Sequence, residues 1–520
     1  MAALFQSRLT KTNRRAENHI GVPSNLMSSI RKLALVAIAS GSVALFVAAL
    51  IAKDPAPSPD PESLAILLPC HVAGVKAEVR CGLYEVFENR QSKKGRMLPL
   101  KILVIPAKHP HPEDGPIFYM AGGPGEAATE LAELVIESGD AEDHDVVLVD
   151  ERGTGEGHRL DCASRISDDN LEAYLNGPFD PAAARDCRDE LQRKFDLTQY
   201  STPNFAEDID EIRGALGYDK INLSGGSFGT YAAMIYMRRH PDRVRTAYLS
   251  SLVPLSNRVP LYHAEAAQLA LDELFKECDQ DSACHAAYPR LRENFAALLE
   301  RVRKAPVLTT VRHPVTGART EIHLTERAFG DALRVMMYHN PGAHEIPFLI
   351  EQATAGDFSP FAEAALRANR DIYAGGSNMG LHYAITCNEF VSRIRSEDVE
   401  PATHGKFLGS WRVRDQMAAC QDWPKSKLPD DYFKPFRLNT PALLVSGEAD
   451  ATGSNGRWGK EVASFMPNAV HVMVPGAGHT PDNDCTRSIR HALFRSGTTK
   501  DLDIGCVAKQ QRPPFKLPAR

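Results

Sequence analysis

Ile221-Asn222-Leu223-Ser224-Gly225-Gly226-Ser227-Phe228-Gly229-Thr230 runs from apolar residues straight into a serine fenced by glycines. The spacing predicts a strand that passes into a helix through a very tight turn, with Ser227 at its apex. Glycine two before and two after keeps side chains from colliding where the middle residue adopts a strained backbone. Ser227 then stands at the N-terminus of the helix, where unpaired backbone N–H groups stabilise a developing negative charge. Chance alone also produces so short a pattern in a long chain, so the surrounding segments decide what it means.

Upstream, Tyr84–Val86 and Leu98–Pro106 read as short antiparallel edge strands separated by polar turns. Pro116–Met120 is a buried-type strand running into Ala121-Gly122-Gly123-Pro124-Gly125, a turn whose backbone can approach a ligand closely. It is not a phosphate cradle, since no Gly-Lys-Ser/Thr follows and Pro124 lacks an N–H. Asp145–Val149 is a second central strand, ending in Asp150-Glu151-Arg152-Gly153-Thr154-Gly155, a structural loop in which Arg152 is expected to pair internally. Asp208, Ile209, Ile212 and Leu216 fall at helical spacing before a stop at Gly217. With the helix 232–239 and the strand 246–252 after the serine, the grammar is that of a parallel sheet.

From about Leu261 to Pro435 the pattern turns helical: Leu291, Phe295, Leu298, Leu299 and Val302 share one face, as do Phe329, Leu333 and Met336. Gly375–Gly380 resembles the serine turn superficially, but lacks a preceding strand and reads as a loop. The sheet resumes at Pro441–Gly447, followed by Glu448-Ala449-Asp450, and at Val470–Val474, followed by Pro475-Gly476-Ala477-Gly478-His479-Thr480-Pro481. Ligand sites of parallel sheets lie at the carboxyl ends of strands, so Ser227, Asp450 and His479 are expected to converge there.

The chemistry follows from the residue types. A serine hydroxyl is a poor nucleophile until a base removes its proton; His479 is the expected base, and Asp450 orients its ring and stabilises the imidazolium. Glu448 is the rival acid, whereas Asp482 and Asp484 follow the base too closely. The oxyanion hole combines the backbone N–H of Phe228 with that of Gly123. No C-x-x-C and no H-E-x-x-H occurs, and His109-Pro110-His111 reads as a solvated loop, so neither metal nor cofactor is expected.

The 520 residues carry a net charge of −6 and 43% hydrophobic residues, enough for a large core and without the basic face that nucleic-acid binding needs. Residues 1–32 are basic, and 33–52 form an uncharged run long enough to cross a bilayer yet small-residue-rich enough for signal-peptide cleavage. Either an export signal or a membrane anchor places the body outside the cytoplasm, periplasmic or secreted. Residues 53–64 are a proline-rich linker, 65–257 and 437–520 the two parts of the sheet-bearing core, and 258–436 a helical cap. Ten cysteines fall as near neighbours, Cys70 and Cys81, Cys162 and Cys187, Cys278 and Cys284, Cys387 and Cys420, Cys485 and Cys506. Their short separations favour pairing within each couple in an oxidising compartment, although spacing alone does not fix connectivity.

Taken in order, Met-Ala-Gly-Gly-Pro-Gly (120–125), Asp-Glu-Arg-Gly-Thr-Gly (150–155), Gly-Gly-Ser-Phe-Gly-Thr (225–230), Gly-Glu-Ala-Asp (447–450) and Gly-Ala-Gly-His (476–479) resemble the proline iminopeptidase family of α/β-hydrolases. The resemblance is closer to its exported tripeptidyl-aminopeptidase-like branch. It implies an α/β-hydrolase fold, a mostly parallel sheet flanked by helices with an inserted helical cap, and a serine peptidase that cleaves residues or short peptides from an N-terminus. A cap carboxylate must then hold the substrate ammonium, and Glu389 is the expected group. Ala121 and Phe228 depart from the family's usual histidine and tyrosine and are expected to line the site. An esterase using the same Ser-His-Asp set, and a non-catalytic binding protein on the same fold, are the alternatives. Oligomeric state is not legible.

Overall fold

Among the described residues, nine strands join into one sheet in the order β1-β2-β3-β5-β4-β6-β7-β10-β11. They are β1 Leu68–Cys70, β2 Val79–Phe87, β3 Met97–Ile105, β4 Ile117–Met120, β5 Val146–Val149, β6 Ile221–Gly226, β7 Val244–Ser250, β10 Ala442–Gly447 and β11 Ala469–Val474; the remaining pair, β8 Val307–Arg312 and β9 Arg319–Leu324, forms a separate hairpin. The computed structural model describes residues 67–155, 157–162, 166–373, 378–434, 436–453 and 456–518. The basic region 1–32, the apolar run 33–52 and the linker 53–64 therefore lie outside the described residues, as does the first half of the stretch 375–380 expected to be a loop, whose last two residues open the helix Met379–Glu389.

β1, β2, β3 and β5 pair antiparallel, and every pairing from β5 to β11 is parallel. The strand sequences explain the layering. Along β3, Leu98, Leu100, Ile102 and Val104 enter the core on one face, while Leu103 and Ile105 enter a second core on the other. A strand buried on both faces must be apolar throughout, which is why the central strands read as continuous hydrophobic runs. The helices Thr202–Ala215 and Phe228–Arg239 cover the first face, and Asp484–Ser496 covers the second.

The segment between β7 and β10 builds its own cluster. Helix Leu291–Lys304 buries Leu291, Phe295, Leu298, Leu299 and Val302, the five residues picked out by helical spacing. Burying each is worth about 1.5–3 kcal/mol relative to exposure. Two features depart from the expected all-helical cap. The β8–β9 hairpin lies within it, and helix Leu171–Asn176, from before the serine turn, packs into its cluster. In the other direction, helix Met379–Glu389 sends Leu381, Tyr383, Ala384, Ile385 and Cys387 into the cluster beneath the main sheet. Local periodicity announces a helix but not the body it packs on.

Disulfides join Cys70–Cys81, Cys162–Cys187, Cys278–Cys284, Cys387–Cys420 and Cys485–Cys506. The near-neighbour pairing thus holds for all five couples, and such bridges persist in oxidising compartments outside the cytoplasm. Among the described residues, no helix is long and apolar enough to cross a membrane.

Candidate active site

Ser227 sits between β6 and the helix Phe228–Arg239 with φ 54° and ψ −124°. A non-glycine residue held at positive φ is strained, and its neighbours show what enforces it. A Cβ on Gly225 would lie 2.7 Å from the carbonyl oxygen of Gly229, and one on Gly229 would lie 2.1 Å from that of Met120. Both glycines are thus required by backbone approaching backbone. The Ser227 carbonyl accepts the N–H and the hydroxyl of Thr230 at 2.9 and 2.7 Å, fixing the first turn of the helix. The Ser227 N–H donates to Ser250 at 3.0 Å, tying the apex to the end of β7.

The next residue, Ser251, donates its hydroxyl to the carbonyl of His479. Ser227 and His479 are therefore neighbours through two consecutive residues of β7 and its loop, although 252 positions separate them in the chain. His479 follows β11, and its N–H donates to the carbonyl of Tyr338 at 2.9 Å, while the rings of Tyr338 and His479 meet edge-on at 5.0 Å. Gly478 is needed there, since a Cβ would meet the carbonyls of Met337 and Tyr338 at 2.5 Å each.

Asp450 is fully buried and its Oδ2 lies 2.8 Å from His479 Nδ1. Its Oδ1 accepts the N–H and hydroxyl of Thr452 at 2.8 and 2.6 Å, and the Thr452 hydroxyl oxygen also lies 2.7 Å from Nδ1. These acceptors assign the proton to Nδ1 and leave the Nε2 lone pair free for a base. Ala449 and Ala451, on either side of the aspartate, pack into the inserted segment's cluster. The rival Glu448 is exposed and accepts the N–H of Gly476 at 3.0 Å, so it buttresses the histidine loop. Asp482 accepts from the hydroxyls of Tyr248 and Ser250 and is likewise structural.

In the glycine turn the Gly122 N–H is taken by Glu126 Oε2 at 3.1 Å. Gly123 is exposed with φ 102°, and among the described residues no acceptor takes its N–H. The turn is stitched to the helix Met379–Glu389. Asn378 donates its side-chain amide to the Gly125 carbonyl at 2.7 Å, and His382 Nδ1 lies 3.3 Å from the Pro124 carbonyl. The Phe228 N–H opens its helix, where backbone donors have no intrahelical acceptor.

Three expectations need correction or sharpening. Glu389 does not face a substrate. It is fully buried, Oε1 accepts the Thr202 N–H at 2.9 Å, Oε2 accepts the Tyr432 hydroxyl, and burial raises its pKa. The Phe228 side chain does not line the site either, for it is buried in the core with its ring against Tyr231, and Ala121 packs toward the opposite core. Arg152 does pair internally, donating to both oxygens of Asp208 at 2.7 Å and to the carbonyls of Glu88 and Gln199. Sequence reasoning missed Thr452 and Tyr338. Thr452 lies two residues from the acid and is visible in hindsight, whereas Tyr338 reaches the base only through tertiary packing. Among the described residues no group of His, Cys, Asp and Glu is arranged to hold a metal ion.

A strained serine between strand and helix, a buried aspartate on a histidine, and a mostly parallel sheet presenting both define an α/β-hydrolase. Residues 116–322 match the family model described as alpha/beta hydrolase fold, and residues 406–506 match that of TAP-like protein. The chain is 28% identical over 403 residues to the tripeptidyl aminopeptidase of Streptomyces coelicolor, covering 72% of each chain. It is 25% identical over 466 residues to the serine protease Hip1 of Mycobacterium tuberculosis, covering 82% of this chain and 87% of the relative. A shorter match, 23% over 188 residues, reaches the proline iminopeptidase of Heyndrickxia coagulans, covering 36% of this chain and 50% of that one. The chain has the α/β-hydrolase fold, and these similarities support a serine peptidase.

Proposed function

We propose that this chain is an exported serine aminopeptidase that releases N-terminal residues or short peptides through an acyl-enzyme, with Ser227 as nucleophile, His479 as base and Asp450 as its orienting acid. The observation that carries it is the 2.8 Å contact between His479 Nδ1 and the buried Asp450, made beside the strained serine. Ser227 Oγ attacks the scissile carbonyl carbon as Nε2 takes its proton. The oxyanion that forms is met by the N–H groups of Phe228 and Gly123. Collapse breaks the C–N bond, and the imidazolium returns the proton to the departing amine. Water, deprotonated by the same nitrogen, then frees the acyl group. Asp450 stays ionised throughout and pays the imidazolium its counter-charge.

The resemblance to aminopeptidases over most of the chain supports peptide over ester substrates, and the run 33–52 supports export. Turnover of a peptide-anilide panel set against p-nitrophenyl esters, with Ser227→Ala as blank, tests the reading. Peptide cleavage abolished by Ser227→Ala is expected; ester-only turnover would make the chain an esterase, and no turnover a binding protein. N-terminal sequencing of the mature protein tells a cleaved signal from a retained anchor.

A further inference from the structure

Above the histidine, the inserted segment brings two guanidinium groups to one carboxylate. Arg334 Nε lies 2.9 Å from Asp331 Oδ1, and Arg412 Nη1 lies 3.5 Å from the same oxygen. All three side chains are at least nine-tenths buried, and among the described residues Asp331 is the single carboxylate in an ion pair with either arginine. His263 and His382, which adjoin them, have their pKa values lowered, first by burial and then by Arg412, with Arg334 adding to the effect on His263; His382 falls to about 4, and both are neutral at physiological pH. The cluster therefore holds one uncompensated positive charge in a desolvated place, an arrangement that favours an anion.

Contacts locate the cluster at the reacting centre. Arg334 donates to the Tyr338 hydroxyl at 2.9 Å, and the Tyr338 ring rests on His479. Arg412 lies 4.8 Å over the ring of Phe179, which packs at 5.6 Å on His382, the residue at the Pro124 carbonyl of the glycine turn. The two arginines thus connect to the base on one side and to the oxyanion turn on the other, with His263 within the electrostatic reach of both arginines, His382 and His479. Around this spot, four buried polar atoms have neither a hydrogen-bond nor an ion-pair partner among the described residues: Arg412 Nε, Asp331 Oδ2, His263 Nδ1 and His382 Nε2. Buried polar atoms are rarely left unpaired, and so many in one place mark a position where a polar ligand group belongs.

We propose that Arg412, backed by Arg334, receives a carboxylate of the substrate beside the scissile bond, making this a peptidase selective for peptides that present a carboxylate there. The inference rests on the peptidase reading above. The carboxylate comes from an acidic side chain near the cut or from the free C-terminus of a short peptide. Guanidinium suits either, because it stays charged when desolvated and presents planar donors to carboxylate oxygens.

The test uses the full chain and two substrate sets. Peptide p-nitroanilides carry Glu or Gln at each of the three positions before the anilide, and unlabelled peptides with free or amidated C-termini are followed by mass spectrometry. The wild type is expected to favour the carboxylate member of one set by about tenfold or more, mainly through KM. Arg412→Gln should remove that preference, lowering kcat/KM on the carboxylate substrates about 10–100-fold more than on the neutral ones. Arg412→Lys should keep part of it. Equal losses on both members, or no wild-type preference in either set, would overturn the proposal. Because the wild-type comparison needs no variant, it decides even if Arg412→Gln fails to fold. Wild-type failure on every anilide, Glu and Gln alike, alongside turnover of p-nitrophenyl esters would instead overturn the peptidase reading, and preference between succinyl and butyryl p-nitrophenyl esters would then decide the carboxylate site.

Discussion

At the level of single residues, the acid was chosen by burial and by where each carboxylate already spends its lone pairs. Asp450 is fully buried and faces the imidazole, whereas Glu448, two residues away, is exposed and spends an oxygen on Gly476. Asp450→Asn is therefore expected to lower kcat about 10³–10⁴-fold with the fold intact, since the amide no longer fixes the tautomer; Glu448→Gln should leave kcat within about threefold. A kinetic comparison of the two variants on one anilide checks this, and equal losses would contradict the assignment. Glu389 gives the opposite lesson. With both oxygens occupied in the interior, Glu389→Gln should change turnover of free-amine and N-blocked peptides by the same factor, where an ammonium-binding group would lose only the former.

Among elements, the strand–turn–helix at β6 is built by close backbone packing. Gly229→Ala would push a Cβ to 2.1 Å from the Met120 carbonyl, and no side-chain rotation relieves a clash between two backbones. The expected cost is more than about 3 kcal/mol, read as a lowered urea midpoint; an unchanged midpoint would show that the turn has room. The loop after β5 makes a separate prediction about pH. Glu151 is buried with Oε1 unpartnered among the described residues, and burial, then the nearby Glu389 carboxyl, holds its pKa well above the usual value. Above about pH 4.3 the unfolded chain ionises this residue while the folded chain keeps the proton. The unfolded state then binds fewer protons, so this group's share of stability falls as pH rises, by up to about 1.4 kcal/mol per unit, until Glu151 itself ionises. Glu151→Gln should accordingly raise Tm relative to wild type more at pH 8 than at pH 5. Parallel Tm curves would show that Glu151 is already ionised in the folded protein.

For the molecule as a whole, the covalent cross-links and the site are connected. Cys387–Cys420 joins the helix Met379–Glu389, which carries His382, to the helix Trp411–Cys420, which carries Arg412. Replacing both cysteines by alanine is expected to cost about 2–4 kcal/mol of stability, because the bridge closes a 33-residue span in the unfolded chain. The same change should weaken turnover by loosening the helix Met379–Glu389, which holds the glycine turn through Asn378 and His382. Calorimetry and anilide kinetics on the double variant check both parts; a lower Tm with unchanged kinetics would separate the bridge from the site.

Most of the sheet was legible because strands buried on both faces are continuous apolar runs, and the serine turn because only glycine permits two backbones to meet there. The order serine, aspartate, histidine after successive strand ends then followed from topology, and near-neighbour spacing anticipated all five disulfides. The hairpin β8–β9 escaped although β9 alternates, with Arg319, Glu321 and His323 outward and Thr320, Ile322 and Leu324 inward, because so short a pattern sits among strong helical signals. The sequence by itself determined the elements and the residue types for acyl transfer, because both are set by spacing along the chain. Only the tertiary structure decided that Glu389 is interior, that Tyr338 rests on His479, and that Arg334 and Arg412 meet at Asp331. Apart from the one-turn step between Asp331 and Arg334, those facts depend on which faces pack together across many tens of residues or more, and helical periodicity carries no record of the partner.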